Sequence, residues 1–288
     1  MRGFPFARGS FGFARVSILL AFIFFSASSC AFDAPKSRLL SSSHAKEIAA
    51  IEIAYPGAKY PIRLERKKDS WFLVLDDTHR FPANLARVAS FIKALREART
   101  TRVFGQNGAA YGIDANESPR IRASNASGTV YLDLVSGSIT AAGTAQYFHE
   151  GHIEKTIRVE PPLAPFVDGT TAYWANLTPF ENAFQGSEIE RASYKKRNYQ
   201  RAFVRGSSEN ETELLDSFER ALMALSCVDV TNIPFVAAES VTLELGDTSL
   251  ITISIMPLNE NYSIIRRDSD GASWAITKTA HDALTGSF

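Results

Sequence analysis

Short runs of alternating apolar and polar residues, joined by tight turns, constrain the fold of this chain more than any other feature. Four follow in succession near the C-terminus: Val241 to Leu245, Leu250 to Ile255, Tyr262 to Arg266 and Ser273 to Ile276. Between them stand Gly246-Asp247, Asn259-Glu260-Asn261 and Asp268-Ser269-Asp270-Gly271. Side chains alternate across a strand, so this period of two predicts antiparallel hairpins with one buried face. Strands arriving in consecutive hairpins do not suit a doubly wound parallel sheet, which needs a helix between strands.

The same pattern recurs earlier. Ile51 to Tyr55, Tyr60 to Leu64 and Trp71 to Leu75 read as a three-stranded meander, with turns at Pro56-Gly57 and at the charged, solvated Arg66-Lys67-Lys68-Asp69. Leu85, Val88, Ile92 and Leu95 then fall at helical spacing with Phe91 beside them, which predicts an amphipathic helix of roughly sixteen residues packed on that meander. Arg120 to Ala123 and Thr129 to Val135 read as strands, Ser136-Gly137 as a turn back into Ser138 to Ala142, and Lys155 to Glu160 as a strand stopped by Pro161-Pro162. Glu188 to Tyr194 and Gln200 to Arg205 form a hairpin candidate. Ser208 to Glu211 is a capping-box sequence opening a second helix marked by Leu214, Leu215, Phe218, Leu222 and Leu225. A short helix over 279–284 closes the chain. The expectation is an α+β fold: two approximate repeats of antiparallel strand meanders, each packed on one amphipathic helix. The first unit covers residues 47–180 and the second 181–288.

The first thirty residues carry a different signal. Arg2, Arg8 and Arg15 precede an apolar run from Val16 to Phe25, and Ala27-Ser28-Ser29-Cys30 follows. A basic region, a short apolar core and a small-residue exit make an export signal. The apolar run is too short for a membrane span, which takes about twenty residues. The cysteine after two small residues resembles a bacterial lipoprotein signal, so residues 1–29 are read as the signal peptide and Cys30 as the lipidated first residue of the mature chain. Ala27 stands where Leu is usual, and cleavage by an ordinary signal peptidase after Ala27 or Ser29 is the alternative. Residues 30–46, polar and Ser-rich, read as a tether.

Removing residues 1–29 takes three arginines from 31 basic residues and none of the 31 acids, leaving 28 against 31, a net charge of −3. That balance lacks the basic excess of nucleic-acid binders. With Cys30 lipidated, Cys227 has no cysteine partner and reads as a small buried apolar residue.

Trp71 closing the third strand, Phe81-Pro82-Ala83-Asn84 opening the helix, Leu85 to Leu95 along it, and Tyr111-Gly112-Ile113-Asp114 after it form a familiar series. With the strand over 129–135, then Gly143 to Tyr147 and Thr156 to Val159, the chain over 50–178 resembles the uncharacterised bacterial family known as domain of unknown function 4340. Where that family usually carries an arginine-bearing segment after Tyr147, this chain has Phe148-His149-Glu150-Gly151-His152. The resemblance implies an envelope protein or lipoprotein of the kind encoded near gliding-type ABC transporter components. It implies no established chemistry.

Motifs for catalysis are not found. His149-Glu150-Gly151-His152 spaces its histidines three apart, whereas a zinc protease helix needs His-Glu-x-x-His, so an exposed hairpin loop is the simpler reading. Asp268 to Gly271 opens like a calcium loop, yet its acidic closing position falls on Ile276-Thr277. Asp76-Asp77 reads as a turn. No serine-hydrolase elbow or phosphate-binding loop is present, and no cofactor or metal is expected. Tyr147, Phe148, His149, His152, Tyr173 and Trp174 are the candidate binding surface, while Trp71, Trp174 and Trp274 also read as core anchors. The expected function is that of a lipid-anchored, non-enzymatic envelope protein that meets a protein partner and touches no nucleic acid. The alternatives are a solute-binding lipoprotein, which would show a deep polar pocket, and an envelope hydrolase, which would show clustered titratable groups.

Overall fold

The computed structural model describes residues 36–288 apart from 104–107, 115, 152–154, 168, 182–183 and 185–186. The export signal and Cys30 lie outside the described residues. In chain order the first strands are β1 (Ser37–Arg38), β2 (Ala50–Ala54), β3 (Ile62–Lys67), β4 (Ser70–Val74), β5 (Arg80–Pro82), β6 (Arg99–Arg102), β7 (Arg120–Ser124), β8 (Val130–Ile139), β9 (Gln146–Glu150) and β10 (Lys155–Glu160). They form one sheet in the order β1-β6-β10-β9-β8-β7-β2-β3-β4-β5. The second set is β11 (Ile189–Lys196), β12 (Tyr199–Val204), β13 (Asp229–Val230), β14 (Glu239–Leu245), β15 (Leu250–Pro257), β16 (Tyr262–Arg267) and β17 (Ser273–Thr277). Its order is β12-β11-β14-β15-β16-β17-β13. The α-helices are α1 (Ser42–Glu47), α2 (Leu85–Glu97), α3 (Thr171–Trp174), α4 (Glu209–Met223) and α5 (Lys278–Thr285).

The pairing is antiparallel, as consecutive hairpins require, but the α+β expectation is corrected. Among the described residues strands account for 40% and helices for only 22%, so the fold is mostly antiparallel β in two sheets. The repeat fails as well. The opening meander does not stand apart: β2 pairs with β7 and fuses it to the later hairpins in a single ten-stranded sheet. The second sheet has seven strands in a different order. The extra strand content lies in segments such as Arg99-Thr100-Thr101-Arg102, whose polar sequence carries no alternation and which are strands because β1 and β10 pair with them.

One hydrophobic core runs through both sheets. Trp274 of β17 is fully buried and meets Phe81 of β5 edge-on, 6.3 Å between ring centroids. Its indole N–H donates to the Asn176 carbonyl at 3.1 Å. At the rim, Asp76 accepts hydrogen bonds from Asn232, at 3.0 Å, and from Thr78 and His79. The Asn232 bond, followed by those from Thr78 and His79, holds the Asp76 carboxyl well below the usual carboxylate range.

Four local expectations also change. Residues 37–47 belong to the fold rather than to a tether: Ser37 and Arg38 pair with β6, Ser41 caps α1, and Leu40, Ala45 and Ile48 are buried. Apolar residues hidden among serines did this. Ser136-Gly137 is not a turn, because β8 runs through it to Ile139. Gly137 is needed there since a Cβ would stand 2.5 Å from Ile113 and 2.8 Å from the Tyr111 carbonyl, which cross over it. The capping box is half formed. Ser208 accepts from the Glu211 N–H, but the Glu211 carboxylate accepts from the Val204 N–H and the Ser207 hydroxyl instead of closing the box. Finally, α2 buries Val88, Phe91 and Leu95, while Leu85 is 55% exposed.

Candidate functional site

Of the described residues expected to line a binding surface, Phe148 and Trp174 are buried in the core. Along β9, Phe148 points into the core with no exposure, which leaves Tyr147 and His149 on the opposite face. Tyr147 packs on Tyr111, centroids 4.5 Å apart. His149 sits in the strand opposite Thr156 and Val135, so at this position the hairpin-loop reading is corrected. Trp174 is fully buried against Phe91 at 5.8 Å. Tyr173 stacks under the Arg87 guanidinium at 4.4 Å and donates its hydroxyl to the Pro165 carbonyl. Phe148 and Trp174 are core, not surface, because β9 and α3 turn those positions inward. His152 and Cys30 lie outside the described residues. Cys227 is buried, and burial pushes its thiol up to about 12, far from a reactive thiolate.

A buried polar cluster around Glu239 is one the motif reading missed. Glu239 opens β14 in the same phase as Val241, Leu243 and Leu245, so its side chain enters the sheet's inner face and is 1% exposed. Lys196, directly opposite on β11, brings its Nζ to 2.7 Å from Oε1. The Tyr194 hydroxyl donates to Oε2 at 2.6 Å, and His281 Nε2 from α5 lies 3.2 Å from the same oxygen. Burial alone would raise the Glu239 carboxyl, but hydrogen bonds from Lys196, Tyr194 and His281 outweigh it and hold the group below its ordinary value. Burial and then the Glu239 acceptor push the Tyr194 phenol above its ordinary value. A carboxylate whose oxygens are engaged by three neighbours, beside a phenol held protonated, ties a sheet together and makes a poor general base. A charged residue in the apolar phase of a strand was the available signal.

A second buried carboxylate lies on the outer face of the first sheet. Asp133 is 2% exposed and takes a bidentate pair from Arg120 at 2.6 and 2.7 Å, with Arg122 Nε at 3.6 Å. Asp133, Arg122, Glu52 and Arg63 stand directly opposite one another across β8, β7, β2 and β3. Such cross-strand alternation of charge neutralises a solvated sheet face.

The third feature is a groove of about 440 Å³ between α1 and α2. Trp71, Ala45, Leu85 and Ile92 supply its apolar wall, and Lys46, Arg66, Lys93 and Arg96 its rim, with Asp69 as the one acid among the lining residues. Leu85, Ala89, Ile92 and Arg96 form a second stripe along α2, beside the buried one. A neighbouring hollow shares Ser42 and Arg96 and adds Arg38, Arg99 and Glu97. Arg38 donates to Ser42 at 3.1 Å, which joins the two concavities at the point where the chain enters the fold.

No three His, Cys, Asp or Glu among the described residues stand close enough to hold a metal ion, and no helix among them is long and apolar enough to cross a membrane. Comparison with family models, curated proteins and solved structures finds no match to this chain.

Proposed function

We propose that this chain is a lipid-anchored, non-enzymatic protein of the bacterial cell envelope that acts as a binding or accessory component of an ABC-type transport or envelope assembly. The observation that carries the reading is the short link between anchor and fold. Cys30 ends a lipoprotein-like signal, and the first strand begins at Ser37, seven residues later. Seven residues span at most about 25 Å, so a lipidated Cys30 keeps the folded body within reach of membrane-embedded partners. The sequence pattern over 50–178 that resembles domain of unknown function 4340 points the same way, although no family model matches the chain. Acyl chains contribute about 0.8 kcal/mol per buried methylene, so several of them make a durable anchor.

The test is affinity capture from native membranes with the full chain as bait and Cys30→Ala as control, read by mass spectrometry. The reading expects transporter or other envelope subunits recovered with the parent protein and lost with the variant. Recovery of the same proteins with both baits, or of none with either, contradicts it.

A further inference from the structure

We infer that the groove between α1 and α2 is a docking face for the anionic headgroups of the membrane to which the chain is tethered. The inference rests on the lipid-anchor reading for its geometry and on charge for its chemistry. Across the groove and the adjoining hollow, Lys46, Arg66, Lys93, Arg96, Arg38 and Arg99 face two acids, Asp69 and Glu97. The mature chain as a whole carries the opposite sign, a net −3 by its 28 basic and 31 acidic residues. The cations are therefore concentrated on this face against the overall balance. Lys46, Lys93 and Arg99 make no ion pair among the described residues, and Arg96 meets Glu97 at 3.4 Å with both side chains about half exposed.

The apolar part suits the same partner. Leu85 is 55% exposed at the groove's edge, above Ile92 and the 8% exposed Trp71. Apolar side chains ringed by lysine and arginine let a surface sink into the headgroup layer while each cation meets a phosphate. The position fits as well. Arg38 belongs to the strand that starts the fold, and its guanidinium contacts Ser42 on the groove's rim. The first described strand, Ser37–Arg38, adjoins this groove, so a link to an acylated Cys30 begins beside it. Lipid headgroup phosphates attract a nearby Lys or Arg over roughly one Debye length.

The experiment uses the mature protein purified from membranes, with vesicles of phosphatidylcholine alone or with a third phosphatidylglycerol. Flotation and amide exchange over residues 85–97 are measured for the parent and for Lys93→Glu/Arg96→Glu. Both substituted residues are exposed, and an unchanged melting temperature confirms the variant's fold. If Cys30 is acylated, the parent floats with both vesicles. Docking then predicts slower exchange over 85–97 on the phosphatidylglycerol vesicles alone, reversed by salt and by the double variant. If Cys30 is not acylated, docking predicts flotation with phosphatidylglycerol vesicles only, weakened about tenfold or more by the charge reversal. That result would keep the docking face and remove the anchor. Equal exchange on both vesicle types, or flotation with neither, overturns the docking face and leaves an acidic protein segment as the partner to test.

Discussion

The groove between α1 and α2 and the Glu239 cluster beneath α5 both gather charged side chains, and they treat them in opposite ways. Glu239 has 1% exposure, and its charge is met by Tyr194 and His281 within the fold and by Lys196, itself half exposed, at its edge. The groove's cations lie at the surface with little local compensation. Matched charges in the interior hold structure, because removing one partner leaves the others desolvated and unpaired. Unmatched charges at the surface contribute little to stability and remain free to meet a partner. The difference separates where this fold is fastened from where its charges are left to solvent.

Substitutions break that comparison in order of size. Phe91→Ala empties the buried side of α2, whose other stripe lines the groove, and costs about 3–5 kcal/mol in chemical denaturation. Glu239→Ala leaves the buried Tyr194 hydroxyl and His281 without their acceptor, while half-exposed Lys196 stays solvated, and costs about 1–3 kcal/mol, seen as a melting temperature lowered by about 3–10 °C, with membrane association unchanged. A loss below about 0.5 kcal/mol for Glu239→Ala would show the cluster to be solvated and the contrast false.

Acid sharpens the same point. The folded Glu239 carboxyl lies below its ordinary value, so its stabilisation is fully present above the unfolded value of about 4.3. It is lost as pH falls through the folded value. Parent stability should therefore drop more steeply on acidification than that of Glu239→Gln. The smallest effect belongs to the groove: Leu85→Ser should change stability by less than about 0.5 kcal/mol. A larger loss would place Leu85 in the core.

Much of the strand order was legible because half-buried strands alternate, and β14 to β17 emerge where period and turn residues coincide. What local sequence does not carry is which strands meet. Nothing in Ile51 to Ala54 announces that β2 joins β7, and that pairing turns separate hairpins into one sheet and defeats the repeat. Gly137 shows the same limit: its local meaning is a turn, and its actual role is to admit Tyr111 and Ile113 from elsewhere in the chain. On α2, Leu85 and Ile92 belong with Val88 and Leu95 by spacing, yet α1 leaves the Leu85 side open, so one apolar pattern serves two surfaces. The Glu239 cluster joins residues from β11, β14 and α5, and only the misplaced phase of Glu239 hinted at it.

The central claim is that the folded body is held at a membrane through Cys30, and the mass of the N-terminal peptide of protein isolated from membranes tests it most directly. The account predicts that residues 1–29 are gone and that the peptide begins at Cys30 bearing acyl chains. An unacylated peptide, whether it begins at Cys30, at Ser28 or elsewhere, would contradict it.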